Sequence, residues 1–167
     1  DRHLGLLTAP APRVLDVGAG YGRLAHRTAA AAPGLADYCC VDAVPQSTFL
    51  CEYYVAARGV TPPVRVVALP DVLALEPGSF DLACNIHSFS ECTLKTVTGW
   101  LDVVRKHDVR YLMIIPNAEE NCGQELITLE KDHRRINYRP EIEARGYKLV
   151  KMRPKFTVPS VQQHGVS

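Results

Sequence analysis

The sequence has no Cys-x-x-Cys pair, no surplus of charge of either sign and no long apolar run. Each absence removes a class. Without paired cysteines at that spacing, a zinc ribbon or thioredoxin-like site has no ligands. The six cysteines (Cys39, Cys40, Cys51, Cys84, Cys92 and Cys122) sit mostly in apolar stretches. That placement fits buried, reduced thiols of a cytoplasmic protein rather than a disulfide framework. Lys and Arg number 19 against 18 Asp and Glu. A dedicated nucleic-acid binder carries a basic surplus, so no nucleic-acid partner is expected. No stretch reaches the roughly 18 apolar residues that cross a bilayer, so no membrane partner is expected either. Gly-x-Ser-x-Gly is missing, which leaves an acyl-enzyme hydrolase without its nucleophile turn.

What is present is 167 residues, 47% of them hydrophobic. That is too apolar for a disordered chain and suits one packed domain, here taken as 1–167. The chain starts at Asp1 rather than at a methionine, and its last segment has no clear stop. Residues beyond both ends are therefore expected. A homo-oligomer is left open.

Strand-like and helix-like segments alternate. Arg13–Val17, Asp37–Asp42, Val64–Leu69, Phe80–Ile86 and Arg110–Ile115 read as buried strands. Tyr21–Ala32 reads as a helix closed by Pro33-Gly34. Pro45–Arg58 has Pro in its first turn and Gly59 past its end, the expected asymmetry of a helix. Leu94–His107 carries Val97, Leu101 and Val104 on one face. Apolar strands alternating with helices predict an α/β, doubly wound, Rossmann-like and mostly parallel sheet covered on both faces. Residues 117–136 break the rhythm with a polar insertion, expected to hold a short helix around Gln124–Asp132 and to cover a substrate site. Tyr138–Arg145 is then a short helix and Tyr147–Met152 a sixth strand. A seventh strand is not recognisable after Val158.

The most specific motif is Asp16-Val17-Gly18-Ala19-Gly20-Tyr21-Gly22, between the first strand and the first helix. Glycines there let the chain turn tightly and let a ligand approach the backbone. A dinucleotide fingerprint needs a glycine at position 23, which is Arg23. The Asp-x-Gly-x-Gly-x-Gly form instead resembles motif I of the class I S-adenosylmethionine-dependent methyltransferases. The resemblance implies S-adenosyl-L-methionine as cofactor and S-adenosyl-L-homocysteine as product. The loop from Asp16 through Gly18, Ala19, Gly20, Tyr21, Gly22 and Arg23 would then pack on the amino-acid part. Asp42, with Ala43 beside it, would take the two ribose hydroxyls. Leu69, Pro70 and Asp71 would enclose the adenine, and Asn85 and Ile86 would complete the cofactor site. Asp71 is equally suited to be a helix N-cap. Asp16 could brace the glycine loop through backbone N–H groups, contact the cofactor's ammonium, or do both.

The fourth strand runs into Asn85-Ile86-His87-Ser88-Phe89-Ser90-Glu91. Ligands of doubly wound sheets sit outside the carboxyl ends of strands, so this run should face the reaction. An alkyl hydroxyl must lose its proton to attack well, and a histidine suits that base role. His87 is the candidate general base. Glu91 could orient it, act as base, bind substrate hydroxyls, or be a first-turn acid of the next helix. Ser88 and Ser90 are candidates for substrate hydroxyls or loop backbone.

With Val41-Asp42 and Glu52-Tyr53-Tyr54, the glycine loop and this run look like the sugar O-methyltransferase family over about Arg13 to Asn117. That likeness implies methylation of a sugar or oligosaccharide hydroxyl, including mannose-type polysaccharide precursors. The Asn/Asp-Pro-Pro-aromatic motif of the nucleobase-amine methyltransferases is absent from this position. In the insertion, Glu119, Glu120, Gln124 and His133 suit sugar hydroxyls, and Arg134-Arg135 could suit a phosphate or be plain surface. Tyr53 and Tyr54 are expected to pack in the core. No metal site is assigned, because magnesium finds no clear carboxylate cluster. Two alternatives stand beside this reading. One is an O-methyltransferase of another small natural product, and the other a non-catalytic cofactor-binding module.

Overall fold

The computed structural model describes Gly5, residues 8–117 and residues 125–154. Five strands alternate with helices: β1 (Arg13–Val17), α1 (Arg23–Ala31), β2 (Asp37–Val41), α2 (Pro45–Ala57), β3 (Val64–Val67), β4 (Leu82–Ile86), α3 (Leu94–Lys106) and β5 (Tyr111–Ile115). A short helix, α4 (Arg139–Ala144), follows. Two 3₁₀ turns, Leu69–Ala74 and Ser88–Glu91, follow β3 and β4. The strands form one sheet in the order β3-β2-β1-β4-β5. β1 is parallel to both β2 and β4, and β2 is parallel to β3. The chain thus winds outward from β1 to β3, then returns to lay β4 on the other side of β1. That reversal puts the topological switch point at the carboxyl end of β1, where open α/β sheets bind ligands.

The chain divides into two compact units. One holds the residues up to Cys84 together with Lys106–Met113, and the other holds Asn85–Arg105 and the described residues from Ile114 onward. In the first unit β1 and β2 are buried almost throughout, as continuous apolar strands of a parallel sheet must be. Val14, Ala25, Tyr38, Cys40, Cys51, Val55 and Cys84 share one apolar cluster. Cys39, Cys40, Cys51 and Cys84 are buried thiols outside any disulfide, and Cys92 is half-buried. Cys122 lies outside the described residues. At the sheet margin Arg65 donates to both oxygens of Asp37 at 2.8 and 2.9 Å, fixing β3 to β2 through a bidentate pair.

In the second unit, Phe89 and Tyr138 meet edge to face with centroids 6.0 Å apart. The first free N–H of α3, on Leu94, donates to Glu130 Oε1 at 2.7 Å. An α-helix leaves such N–H groups without internal partners.

Three expectations are corrected here. Residues 125–132 form no helix: Ile127 bridges Asn137 in antiparallel fashion, and the backbone N–H groups of Thr128 and Glu130 go to Ile136 and Arg134. With the apolar residues of Leu126–Leu129 contiguous and Thr128 β-branched, the segment gains more from this hairpin-like return than from a helical turn. Gln124 lies outside the described residues. Among the described residues Tyr147–Met152 joins no ladder, and Leu149, Val150 and Met152 are 61, 78 and 58% exposed. β3 stops at Val67, because Pro70 has no N–H for a ladder and starts a 3₁₀ turn instead.

The third glycine of the loop is a packing glycine. Gly22 has φ 84°, and a Cβ there would lie 2.8 Å from Cys51 Sγ and 3.1 Å from Val55 Cγ2 on α2. Gly22→Ala is expected to cost about 1–3 kcal/mol, from left-handed strain and overpacking together. Urea unfolding measures it. Adding Cys51→Ala should return part of that loss, and no recovery would show that strain alone is responsible.

Candidate functional site

β1 ends at Val17, and the chain then turns through three glycines of positive φ: Gly18 (76°), Gly20 (57°) and Gly22 (84°). The loop's N–H groups have specific acceptors. Gly18 and Ala19 both donate to the Val41 carbonyl, at 2.9 and 3.2 Å, and Gly22 donates to Ala19 at 3.1 Å. Gly20 donates to Asp42 Oδ2 at 3.0 Å, and Val44 donates to Asp42 Oδ1 at 2.8 Å. The acid that braces the glycine loop is therefore Asp42, where Asp16 had been one expected brace. Each Asp42 oxygen keeps a further lone pair. Nothing lies within 4 Å of the point where a Cβ on Gly20 would sit, so the loop leaves open space beside that carboxylate.

Asp16 points into the core. It is 2% exposed, with Tyr38 OH donating to Oδ2 at 2.8 Å and Cys84 Sγ donating to Oδ1 at 3.5 Å. Burial pushes its pKa from 3.8 up to about 6, while the bonds from Tyr38 and Cys84 pull the other way. Burial beside this acid also raises the Tyr38 phenol and the Cys84 thiol. Sequence reading missed both partners. The signal available was strand register, which pairs Asp16 with Cys40 and Cys84 and puts Tyr38 on the neighbouring strand.

Around the loop, Tyr21 is half exposed and meets Tyr54 edge to face at 5.4 Å, with the Arg23 guanidinium 5.9 Å from the Tyr21 ring centre. Tyr54 OH lies 3.3 Å from His26 Nδ1. Tyr53 is 69% exposed, which corrects its expected place in the core. Ala43 is exposed at the end of β2. Leu69 is 41% exposed and Pro70 and Asp71 are exposed on the 3₁₀ turn after β3. Asp71 is not the N-cap, because Ala68 holds that position without a side-chain cap.

In the second unit, His87 has φ 71° and ψ −37°, a strained backbone for a residue with a Cβ. Such strain gathers at functional sites. The surroundings hold it. His87 N–H donates to Ile115 at 2.7 Å, and its carbonyl accepts Ser90 N–H at 2.9 Å. Asn85, 1% exposed, accepts Phe89 N–H at 3.1 Å and donates to Ser88 Oγ. Ser90 Oγ accepts Asn117 N–H at 3.1 Å. The side chains of Asn85, Ser88 and Ser90 thus order this loop, and Ile86 is half-buried at its start.

A cleft of about 200 Å³ opens in the same unit, lined by Ser90, Glu91, Asn117, Glu125 and Arg135, with Ile127 and Leu129 as its apolar wall. Glu91 ends the 3₁₀ turn and is not a first-turn acid of α3, whose first N–H is served by Glu130. His133 sits at φ 63° on an exposed turn and does not line the cleft. Arg134 is paired with Asp132 at 2.5 Å, leaving Arg135 as the member of that basic pair in the cleft. Glu119 and Glu120 lie outside the described residues. Among the described residues no three His, Cys, Asp or Glu side chains gather as a metal site, and no helix is long and apolar enough to cross a membrane.

Several solved structures share this architecture. The chain has the fold of the S-adenosylmethionine-dependent methyltransferases. SibL, one such enzyme in its apo form, aligns with TM-score 0.50 at 24% identity, over 62% of this chain and 29% of SibL. The PH0226 protein from Pyrococcus horikoshii OT3 aligns with TM-score 0.60 at 14% identity, over 86% of this chain and 73% of that one. The StiE O-MT segment, residues 961–1257, aligns with TM-score 0.52 at 17% identity, over 64% of this chain and 36% of that segment. At these identities the likeness is one of fold. No protein-family model and no curated protein matches the sequence.

The buried acid gives a pH signature. Asp16 keeps its proton up to about pH 6 when folded and loses it near 3.8 when unfolded. Between those values the folded state binds more protons, so stability falls as pH rises, by about 3 kcal/mol in total. Asp16→Asn removes this slope. Urea unfolding from pH 4 to pH 7 should show the variant gaining on wild type as pH rises, and parallel profiles would refute the assignment.

Proposed function

We propose that this chain is the cofactor-binding part of an S-adenosylmethionine-dependent O-methyltransferase that methylates a hydroxyl of a sugar or oligosaccharide. The observation that carries the cofactor reading is the end of β1 and β2. A loop of positive-φ glycines lies beside Asp42, whose carboxylate is fixed by Gly20 and Val44 and retains free lone pairs next to open space. Those lone pairs suit two ribose hydroxyls. Asp16, an acid whose ionisation is disfavoured by burial, gains from a nearby ammonium such as that of the cofactor's amino-acid part. The exposed Leu69 and the Asp71 carboxylate offer a stacking surface and an acceptor for an adenine amine.

The cofactor supplies an electrophilic sulfonium methyl when bound. The chain's own task is to place a hydroxyl in line and take its proton, and positioning carries much of such a displacement. We assign proton removal to an imidazole nitrogen of His87, on the strained backbone that Asn85 and Ile115 hold. Glu91 and Glu125 in the cleft suit sugar hydroxyls, while Ile127 and Leu129 suit the C–H face of a pyranose. The resemblance of residues 85–91 to the sugar O-methyltransferases and the net charge of +1 support an uncharged saccharide over a nucleic acid.

Calorimetry should show S-adenosylhomocysteine binding and NAD not binding; the reverse would overturn the cofactor reading. With labelled methyl donor, transfer to a saccharide panel is expected. His87→Ala should lower turnover by about 10²-fold or more with little change in cofactor affinity. Unchanged turnover removes His87 as the base. Transfer only to other small hydroxyl compounds replaces the sugar reading, and no transfer to any acceptor favours a non-catalytic binding module.

A further inference from the structure

His107 has no part in the site described above, yet it is 0% exposed with both ring nitrogens engaged. Nε2 lies 3.1 Å from the Val72 carbonyl and Nδ1 lies 3.2 Å from the Glu76 carbonyl. A carbonyl only accepts, so each contact is a hydrogen bond when that nitrogen carries its proton. The His107 carbonyl accepts Gly78 N–H at 2.9 Å. The preceding Lys106 donates from Nζ to the Leu73 carbonyl at 2.5 Å. Two consecutive residues at the end of α3 thus lie against four main-chain groups between Val72 and Gly78. The imidazole also packs edge to face on Phe80, with centroids 5.8 Å apart.

The segment so held is weak by itself. Leu69–Ala74 is a 3₁₀ turn, whose hydrogen bonds have poor geometry. At its ends, Asp71 N–H donates to Ala68 at 3.0 Å and Leu75 N–H to Val72 at 3.4 Å. Val72 is buried, while Leu69 and Leu73 are 41 and 54% exposed, so apolar packing anchors the turn at one residue. Leu69, Pro70 and Asp71 lie on this turn.

We infer that His107 is a positioning residue for the cofactor's adenine, acting through the Leu69–Glu76 segment. The inference rests on the proposed role of Leu69, Pro70 and Asp71. His107 touches no ligand. The ring nitrogen that carries the proton donates to the Val72 or the Glu76 carbonyl, which ties down the segment on which Leu69 and Asp71 stand. An ordered turn meets the adenine without the entropy loss of ordering on binding.

The test compares His107→Phe, which keeps an aromatic ring and loses the ring N–H, with His107→Gln, whose amide nitrogen stands near the Nε2 position and can donate to Val72. Calorimetry with S-adenosylhomocysteine and with 5′-methylthioadenosine reads the adenine contact. His107→Phe should weaken both by about tenfold, equivalent to about 1.4 kcal/mol. His107→Gln should recover part of that affinity. In turnover the Phe variant should raise KM for the methyl donor and leave kcat at saturation near wild type. Amide exchange across residues 69–79 should quicken in the ligand-free Phe variant. A folded His107→Phe protein with wild-type affinity, or with unchanged exchange in that segment, overturns the inference, as does a loss confined to kcat. Should the Phe variant not fold, a Gln variant tenfold weaker than wild type with unchanged exchange also overturns it. If wild type binds neither ligand, the cofactor reading itself fails and takes this role with it.

Discussion

The Val41 carbonyl accepts two N–H groups, from Gly18 and Ala19, and much of the first unit depends on that pairing. β1 ends one residue earlier, at Val17, where regular ladder bonding stops. A residue with a Cβ would resist the turn at Gly18, which has φ 76°. With the turn made, the chain stays bound to β2 beyond its last strand residue and Gly20 falls against Asp42. The same path brings Gly22 into left-handed backbone at the N-terminus of α1, where the lack of a side chain lets Cys51 and Val55 of α2 approach. One carbonyl thereby aligns the glycine loop and seats two helices.

Two carboxylates at the ends of adjacent strands then divide the work by environment. Asp42 stays half-buried with backbone donors on both oxygens. Asp16 has lost its water and has only a phenol and a thiol in exchange. An apolar residue would stabilise the core more at that position. Keeping an acid there makes sense where a cation arrives to meet it, which is how the proposed cofactor's ammonium would repay the burial.

The alternation of apolar strands and helices was readable because it follows from periodicity, and all five strands stand where the pattern places them, with ends shifted by no more than two residues. The errors fall where periodicity has little to say. Leu126–Leu129 has apolar residues enough for a helical turn, but the backbone of Thr128 pairs with Ile136 across a hairpin-like return and Glu130 serves Leu94 of α3, far along the chain. Tyr147–Met152 reads as a short apolar strand, yet no strand among the described residues pairs with it. At the candidate site the glycine loop was legible because positive φ needs glycine. The roles of Asp16 and Asp42 were only half legible, since which acid braces the loop depends on the direction of each side chain.

Both 3₁₀ turns that follow strands carry proposed site residues, and both are fixed by polar groups, the buried His107 and Asn85 among them, more than by apolar packing. Leu69–Ala74 has one buried residue and hangs on Lys106 and His107. Ser88–Glu91 likewise buries only Phe89; its Phe89 N–H donates to Asn85, while its Ser88 and Ser90 hydroxyls accept from Asn85 and from the Asn117 N–H. Hydrogen bonds define direction where apolar contacts do not. A turn held by them presents its side chains at fixed angles while its outer face stays open to a ligand. A wholly apolar anchor would have to bury more of each turn, including residues such as Leu69 and Glu91 that stand exposed here. The need to keep those faces open explains why Asn85 and His107 are polar at positions where the core would otherwise take a hydrocarbon side chain.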